Sequence, residues 1–217
     1  VISNDSFFVQ AWVKPPTYTN LDLINLELSD KNSNKVKKEM VPINSELSII
    51  IKSNNKNFSI LSNDKDIPIV IKENNNYQTT YYIKKNQRIT IKKNKDYYKR
   101  WSFNVIPDYP PIIEFLSKPI QVNQTAITFV AKASDDYGIK ILRAEISRPS
   151  EYEHFKEEYL SYNLKVESGL SNNNKSIESY FYERLSHIIW AGSKSILTII
   201  ASDQTGQIVR KSKNIVI

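Results

Sequence analysis

The chain has 217 residues, 40% of them hydrophobic and 24% charged, with a mean hydropathy of −0.45. It can bury a core, and no apolar run approaches the ~20 residues of a bilayer span. Cysteine is absent, which excludes a disulfide framework, and the composition fits neither a collagen nor a disordered tail. The net charge of +7 sits in the first half: residues 1–107 carry 17 Lys and Arg against 10 Asp and Glu, residues 108–217 carry 13 of each. A basic half attracts nucleic acid, anionic lipid headgroups or acidic glycans. A coding sequence biased toward Lys, Asn and Ile leaves the same surplus on an inert surface.

Short β-type runs separated by turn residues recur along the chain. Residues 7–13 form the first, ended by Pro15 and Pro16, which lack the N–H a ladder needs. Further runs follow at 21–28, 47–51, 58–61, 67–71, 77–83, 88–92 and 101–105. In Arg88-Ile89-Thr90-Ile91-Lys92 the period is two, with Ile89 and Ile91 on one face and Arg88, Thr90 and Lys92 on the other. Pro107, Pro110 and Pro111 then close the first half and stiffen a linker over 106–111, giving domains at 1–107 and 108–217.

The second half repeats the pattern at 112–115, 120–122, 126–133, 139–146, 164–168, 179–185, 195–202 and 207–216. Ala133-Ser134-Asp135-Asp136-Tyr137-Gly138 and Ala201-Ser202-Asp203-Gln204-Thr205-Gly206 are echoes of one another, each an Asp and a Gly between two β runs. The Asp accepts backbone N–H groups in such a turn and Gly138 or Gly206 supplies φ > 0. Residues 150–163 break the pattern. Ser150 can cap a helix with Glu153 three residues on, and Phe155, Tyr159 and Tyr162 fall at helical spacing, so a loop or short helix is expected there. The fold expected is all-β: two tandem Ig-like antiparallel β-sandwich domains with a short proline-rich linker. Trp12, Trp101 and Trp190 are expected as large core or interface residues.

Catalytic chemistry finds little support. Two histidines, His154 and His187, stand apart from any nucleophile elbow or phosphate loop, so no enzyme, catalytic residue or cofactor is expected. Asp135, Asp136 and Asp203 are the one carboxylate set that two turns at the same sandwich end would bring together for calcium, with turn capping as the commoner use. Lys84, Lys85, Arg88, Lys92, Lys93, Lys99 and Arg100 interleave with tyrosines, the mixture used to hold a polyanion. The same residues also suit a solvated hairpin. No specific nucleic acid is expected as a partner.

Four stretches together resemble one bacterial family. Trp12-Val13-Lys14-Pro15-Pro16-Thr17-Tyr18-Thr19 resembles its W-x-x-P-P-x-Y-T signature, and Asp108-Tyr109-Pro110-Pro111-Ile112 its P-D-x-P-P-x-I boundary. Asp135-Asp136-Tyr137-Gly138-Ile139 resembles its D-D-Y-G-V turn, and Trp190-Ala191-Gly192 with Ala201 to Gln207 its closing W-A-G and A-x-D-x-x-G-Q motifs. This is the domain of unknown function numbered forty-one seventy-five, found mainly in alphaproteobacterial inner membranes. The resemblance implies a membrane-anchored envelope protein whose periplasmic β-domains are represented here. It also implies as partners other envelope proteins or the remainder of a longer chain, and possible contact with an anionic surface. The start at Val1 is expected for such a piece, with an anchor outside it. The function expected is therefore a non-catalytic structural or interaction module at the periplasmic face of the inner membrane. The alternative is a binding module for an anionic polymer or lipid surface.

Overall fold

The computed structural model describes residues 7–26, 36–72, 74–148, 159–164, 175–187 and 191–217. Trp190 and residues 150–158 of the expected insertion lie outside them. The chain divides into two compact units, Val1–Asp108 and Tyr109–Ile217.

The first unit contains β1 (Phe7–Lys14), β2 (Ile24–Asn25), β3 (Lys37–Pro42), β4 (Ser45–Ser53), β5 (Phe58–Ser62), β6 (Lys65–Asp66), β7 (Val70–Ile71), β8 (Asn76–Ile83), β9 (Gln87–Lys93) and β10 (Asp96–Ile106). They form two sheets, in the orders β2-β1-β4-β8-β7 and β3-β10-β9-β5-β6. Alternation decides which side chains meet between them. Val9, Ala11 and Val13 sit opposite Ile51, Ile49 and Leu47 and face inward, toward Ile89, Ile91, Trp101 and Phe103 of the other sheet. β1 belongs to one sheet and β3 to the other, where β3 runs parallel to β10 from Trp101↔Lys37 to Ile106↔Pro42. That pair is an exception to the antiparallel pairing expected, because β3 and β10 run in the same direction.

The second unit contains β11 (Ile112–Phe115), β12 (Ile120–Val122), β13 (Ala126–Ser134), β14 (Ile139–Ser147), β15 (Tyr159–Asn163), β16 (Ser176–Arg184), β17 (Lys194–Asp203) and β18 (Ile208–Val216). β11 and β12 lie end to end along one edge of β13, β16 pairs with its other edge, and β15-β14-β17-β18 form the facing sheet. Phe129 stacks on Phe181 at 4.7 Å in the core between them. Both units are thus Ig-like sandwiches of an all-β protein.

Several expectations shift. Residues 159–163 are a strand rather than a loop or helix: Leu160 and Tyr162 sit opposite Ile146 and Ala144 and pack on the core, while Tyr159, Ser161 and Asn163 are exposed. Cross-strand pairing overrides the helical spacing of the tyrosines. Among the described residues of the run expected at 21–28 the strand covers Ile24–Asn25, with residues 27–28 outside the description, and that expected at 67–71 is a strand at Val70–Ile71. β3 has no counterpart among the expected runs, because an edge strand with only Val41 and Pro42 buried shows no periodicity. Trp101 is in the core, whereas Trp12 is half-buried on the outer face of β1, since the inward positions are the odd-numbered ones.

The hairpins also explain how a chain with four glycines turns so often. Asn63-Asp64, Asn74-Asn75, Asn94-Lys95 and Asn123-Gln124 all have positive φ at both positions, the conformation tight hairpins demand. Asparagine tolerates the left-handed region better than most side-chain-bearing residues. The asparagine-rich composition is therefore partly a turn chemistry.

Candidate functional site: a cationic outer sheet face

β9 alternates inward Ile89 and Ile91 with Arg88, Thr90 and Lys92 on its other face, where Arg88 is exposed, Lys92 half-buried and Thr90 itself buried. β10 pairs alongside it, but the register slips between Tyr97↔Lys92 and Lys99↔Ile91, leaving Tyr98 as the extra residue of a β-bulge. The bulge changes which side chains share a face. Simple alternation would place Lys99 beside Tyr97. Instead Tyr97 and Arg100 face the same side as Lys92, and Lys99 takes the side of Ile91. The Lys92 Nζ lies 5.2 Å and the Arg100 Cζ 4.7 Å from the centre of the Tyr97 ring, which remains 58% exposed. Tyr98 turns toward the core, edge-on to Phe7 at 4.7 Å.

The seven cations singled out by sequence therefore separate. Arg88, Lys92 and Arg100 share the outer face of the second sheet. Lys93 lies on the opposite side, its Nζ 4.9 Å from the Phe7 ring. Lys99 is half-buried on that side as well. Lys84 and Lys85 are exposed in the connection from β8 to β9. A cation that sequence reasoning missed joins the outer face: Lys38 of β3 sits opposite Ser102, which sits opposite Arg88. Nothing in the sequence signals Lys38, because its place depends on the parallel pairing of β3.

The structural residues fall as follows. β1 ends at Lys14, ahead of Pro15 and Pro16, and a 3₁₀ turn over Thr17–Thr19 follows, with Tyr18 half-buried. In the connection that follows β10, Pro110 is exposed and Pro111 buried.

The aspartate turns of the second unit meet at one end, because Ile139 pairs with Asp203. Asp135 accepts the N–H groups of Tyr137 at 2.8 Å and Gly138 at 2.7 Å through one oxygen. Asp203, 2% exposed, accepts those of Thr205, Gly206 and Gln207 at 2.7–2.9 Å. Gly138 and Gly206 hold φ of 111° and 92° in these turns. Among the described residues no three His, Cys, Asp or Glu side chains are arranged to hold a metal ion.

Burial raises the pKa of Asp135 above the ordinary 3.8, the two N–H groups oppose that shift, and the charges of Asp136 and Asp203 reinforce it. The folded state thus holds this proton more tightly than the unfolded chain. Its stabilising contribution is complete below 3.8 and is lost as pH rises through the elevated folded value. Asp135→Asn keeps an acceptor oxygen and removes the charge. Thermal unfolding between about pH 4 and 7 should show this variant with a flatter stability profile than the parent. A profile as steep as the parent's would contradict the assignment.

The fold and face define a two-sandwich β protein with a cationic sheet surface. The chain belongs to the family described as Domain of unknown function (DUF4175), whose match spans residues 3–217. No curated protein matches it. Among solved structures it is similar to a DUF3823 family protein from Bacteroides ovatus, at 10% identity over 76% of this chain and 90% of that one, with a TM-score of 0.34. It is also similar to dimeric latent PorU from Porphyromonas gingivalis, at 12% identity over 98% and 24% of the two chains and a TM-score of 0.36. The I9-I11 tandem of titin matches at 14% identity over 99% and 89%, with a TM-score of 0.30.

Proposed function

We propose that the chain is a non-catalytic interaction module in the periplasmic part of a membrane-anchored bacterial envelope protein. Its first sandwich engages an anionic polymer or lipid surface, and other envelope proteins or the rest of a longer chain are its further partners. The observation that carries the anionic reading is the placement of Arg88, Lys92 and Arg100 on one outer sheet face, the last two against the Tyr97 ring. Strand rise puts Arg88 and Lys92 about 13 Å apart, so the cations form a stripe rather than a point. A stripe of like charge recruits a polyanion by counterion release and long-range attraction, with each cation near an anionic surface contributing about 1 kcal/mol. Among the described residues no helix is long and apolar enough to cross a membrane.

The test is binding to anionic vesicles and to a polyanion such as heparin at low salt. The parent should bind and release steeply as salt rises. Arg88→Glu/Lys92→Glu/Arg100→Glu should abolish binding while leaving the far-ultraviolet dichroism spectrum intact. Absence of binding by the parent at low salt to either probe would overturn the anionic reading.

A further inference from the structure

The cationic face continues at its Arg88 end into a hollow of about 350 Å³. Asn63, Asp64, Asn86, Arg88, Ser102 and Asn104 contribute to its walls. Two of its amides are held by the backbone. The Asn63 Oδ1 accepts the N–H of Arg88 at 2.9 Å, and the Asn63 N–H donates to the Arg88 carbonyl at 2.9 Å. The Asn86 Oδ1 accepts the N–H of Val105 at 2.7 Å. With both oxygens engaged, each amide is left to offer its NH₂ donors. Arg88 adds a guanidinium with planar, forked donors. Asp64, at the other side of the β5–β6 turn, adds a carboxylate acceptor.

This combination is selective. A wall of amide and guanidinium donors suits a carboxylate or other oxyanion, while Asp64 opposes a bare phosphate surface and accepts hydroxyl donors instead. Ser102 and Thr90 hydroxyls both donate and accept. The ligand that satisfies donors, acceptors and charge together carries an acidic group beside several hydroxyls. The volume falls at the low end of small-molecule sites, about 300–1,000 Å³. Concavity also distinguishes it from a docking surface for a bilayer, which needs protruding cations. Next along the sheet, Thr90 sits opposite Arg100, which stacks on Tyr97, so a chain of sugars leaving the hollow would meet the cation–ring group.

We propose that this hollow is a subsite for one acidic sugar residue of a glycan, with Arg88, Asn63 and Asn86 on its carboxylate and Asp64 on its hydroxyls. The assignment rests on the anionic reading above and narrows it to a saccharide. Ser102 is outward-facing on β10, and its replacement by tyrosine fills the hollow without altering charge, at a strand position that accepts aromatic residues.

Titration of the full 217-residue chain with oligogalacturonate, neutral dextran and anionic phospholipid vesicles separates the possibilities. The parent should bind oligogalacturonate saturably and dextran at least tenfold more weakly. Ser102→Tyr and Arg88→Gln should each lose at least tenfold on oligogalacturonate, and Ser102→Tyr should bind vesicles as the parent does. Vesicle binding with no oligogalacturonate binding would overturn the subsite and leave the anionic surface standing. Oligogalacturonate binding untouched by Ser102→Tyr would overturn the subsite too. Failure on every anionic probe would remove both.

Discussion

Trp101→Ala is expected to cost the first sandwich about 3–5 kcal/mol, the range for emptying a buried aromatic site. Trp101 is 1% exposed and is the largest fully buried side chain among the described residues of its unit. It stands on β10 opposite Ile89 on one side and Lys37 on the other, with its ring in the cluster shared by both sheets. Shrinking it leaves a cavity that rigid, hydrogen-bonded strands cannot close. A domain with 5–15 kcal/mol of total stability would lose a large part of it. Urea unfolding read by dichroism checks this, with a lowered midpoint in the variant. Trp101→Phe, which keeps an aromatic ring in place, should lose clearly less. A midpoint within error of the parent for Trp101→Ala would contradict the placement of this residue.

The second large effect is at Asp203. Its Oδ1 accepts three backbone N–H groups, and its Oδ2 accepts the Thr205 hydroxyl at 3.0 Å. The residue is nearly fully buried, so no water replaces a lost oxygen. Hydrogen bonds to a charged acceptor contribute roughly 1.5–3 kcal/mol each, and stranded donors add their own desolvation cost. Asp203→Ala should therefore destabilise the second sandwich by about 3 kcal/mol or more. Asp203→Asn, which retains the oxygen that takes the three N–H groups, should cost less than half of that. Equal losses for Ala and Asn would show that the charge, not the turn geometry, matters.

The contrast between the two turns shows what was legible in sequence. Ala-Ser-Asp-x-x-Gly at 133–138 and 201–206 states its own geometry, because the Asp and Gly needed for the turn lie within a few residues. β9 was equally readable, since period-two alternation is a local property. What could not be read is whatever depends on a partner strand. The bulge at Tyr98 inverts the facing of Lys99 and Arg100, and no residue near it announces the slip. β3 is recognisable only through its parallel pairing with β10, and so Lys38 could not be assigned to the cationic face. The Asn63 and Asn86 amides join the hollow through backbone contacts from Arg88 and Val105, 25 and 19 residues away. Tyr159 and Tyr162 sit at helical spacing, yet they fall on opposite faces of β15, and only pairing with β14 resolves the segment into a strand.

We propose that facing, not charge count, fits the outer sheet face of the first sandwich to a polyanion. Two double variants of equal charge change test it most directly: Lys92→Glu/Arg100→Glu on the outer face and Lys93→Glu/Lys99→Glu on the opposite side. Heparin affinity at low salt should fall at least tenfold for the first pair and stay within about twofold of the parent for the second, since charges beyond a Debye length of about 10 Å are largely screened at 0.1 M salt. Equal losses for the two pairs would contradict the assignment of the site to that face.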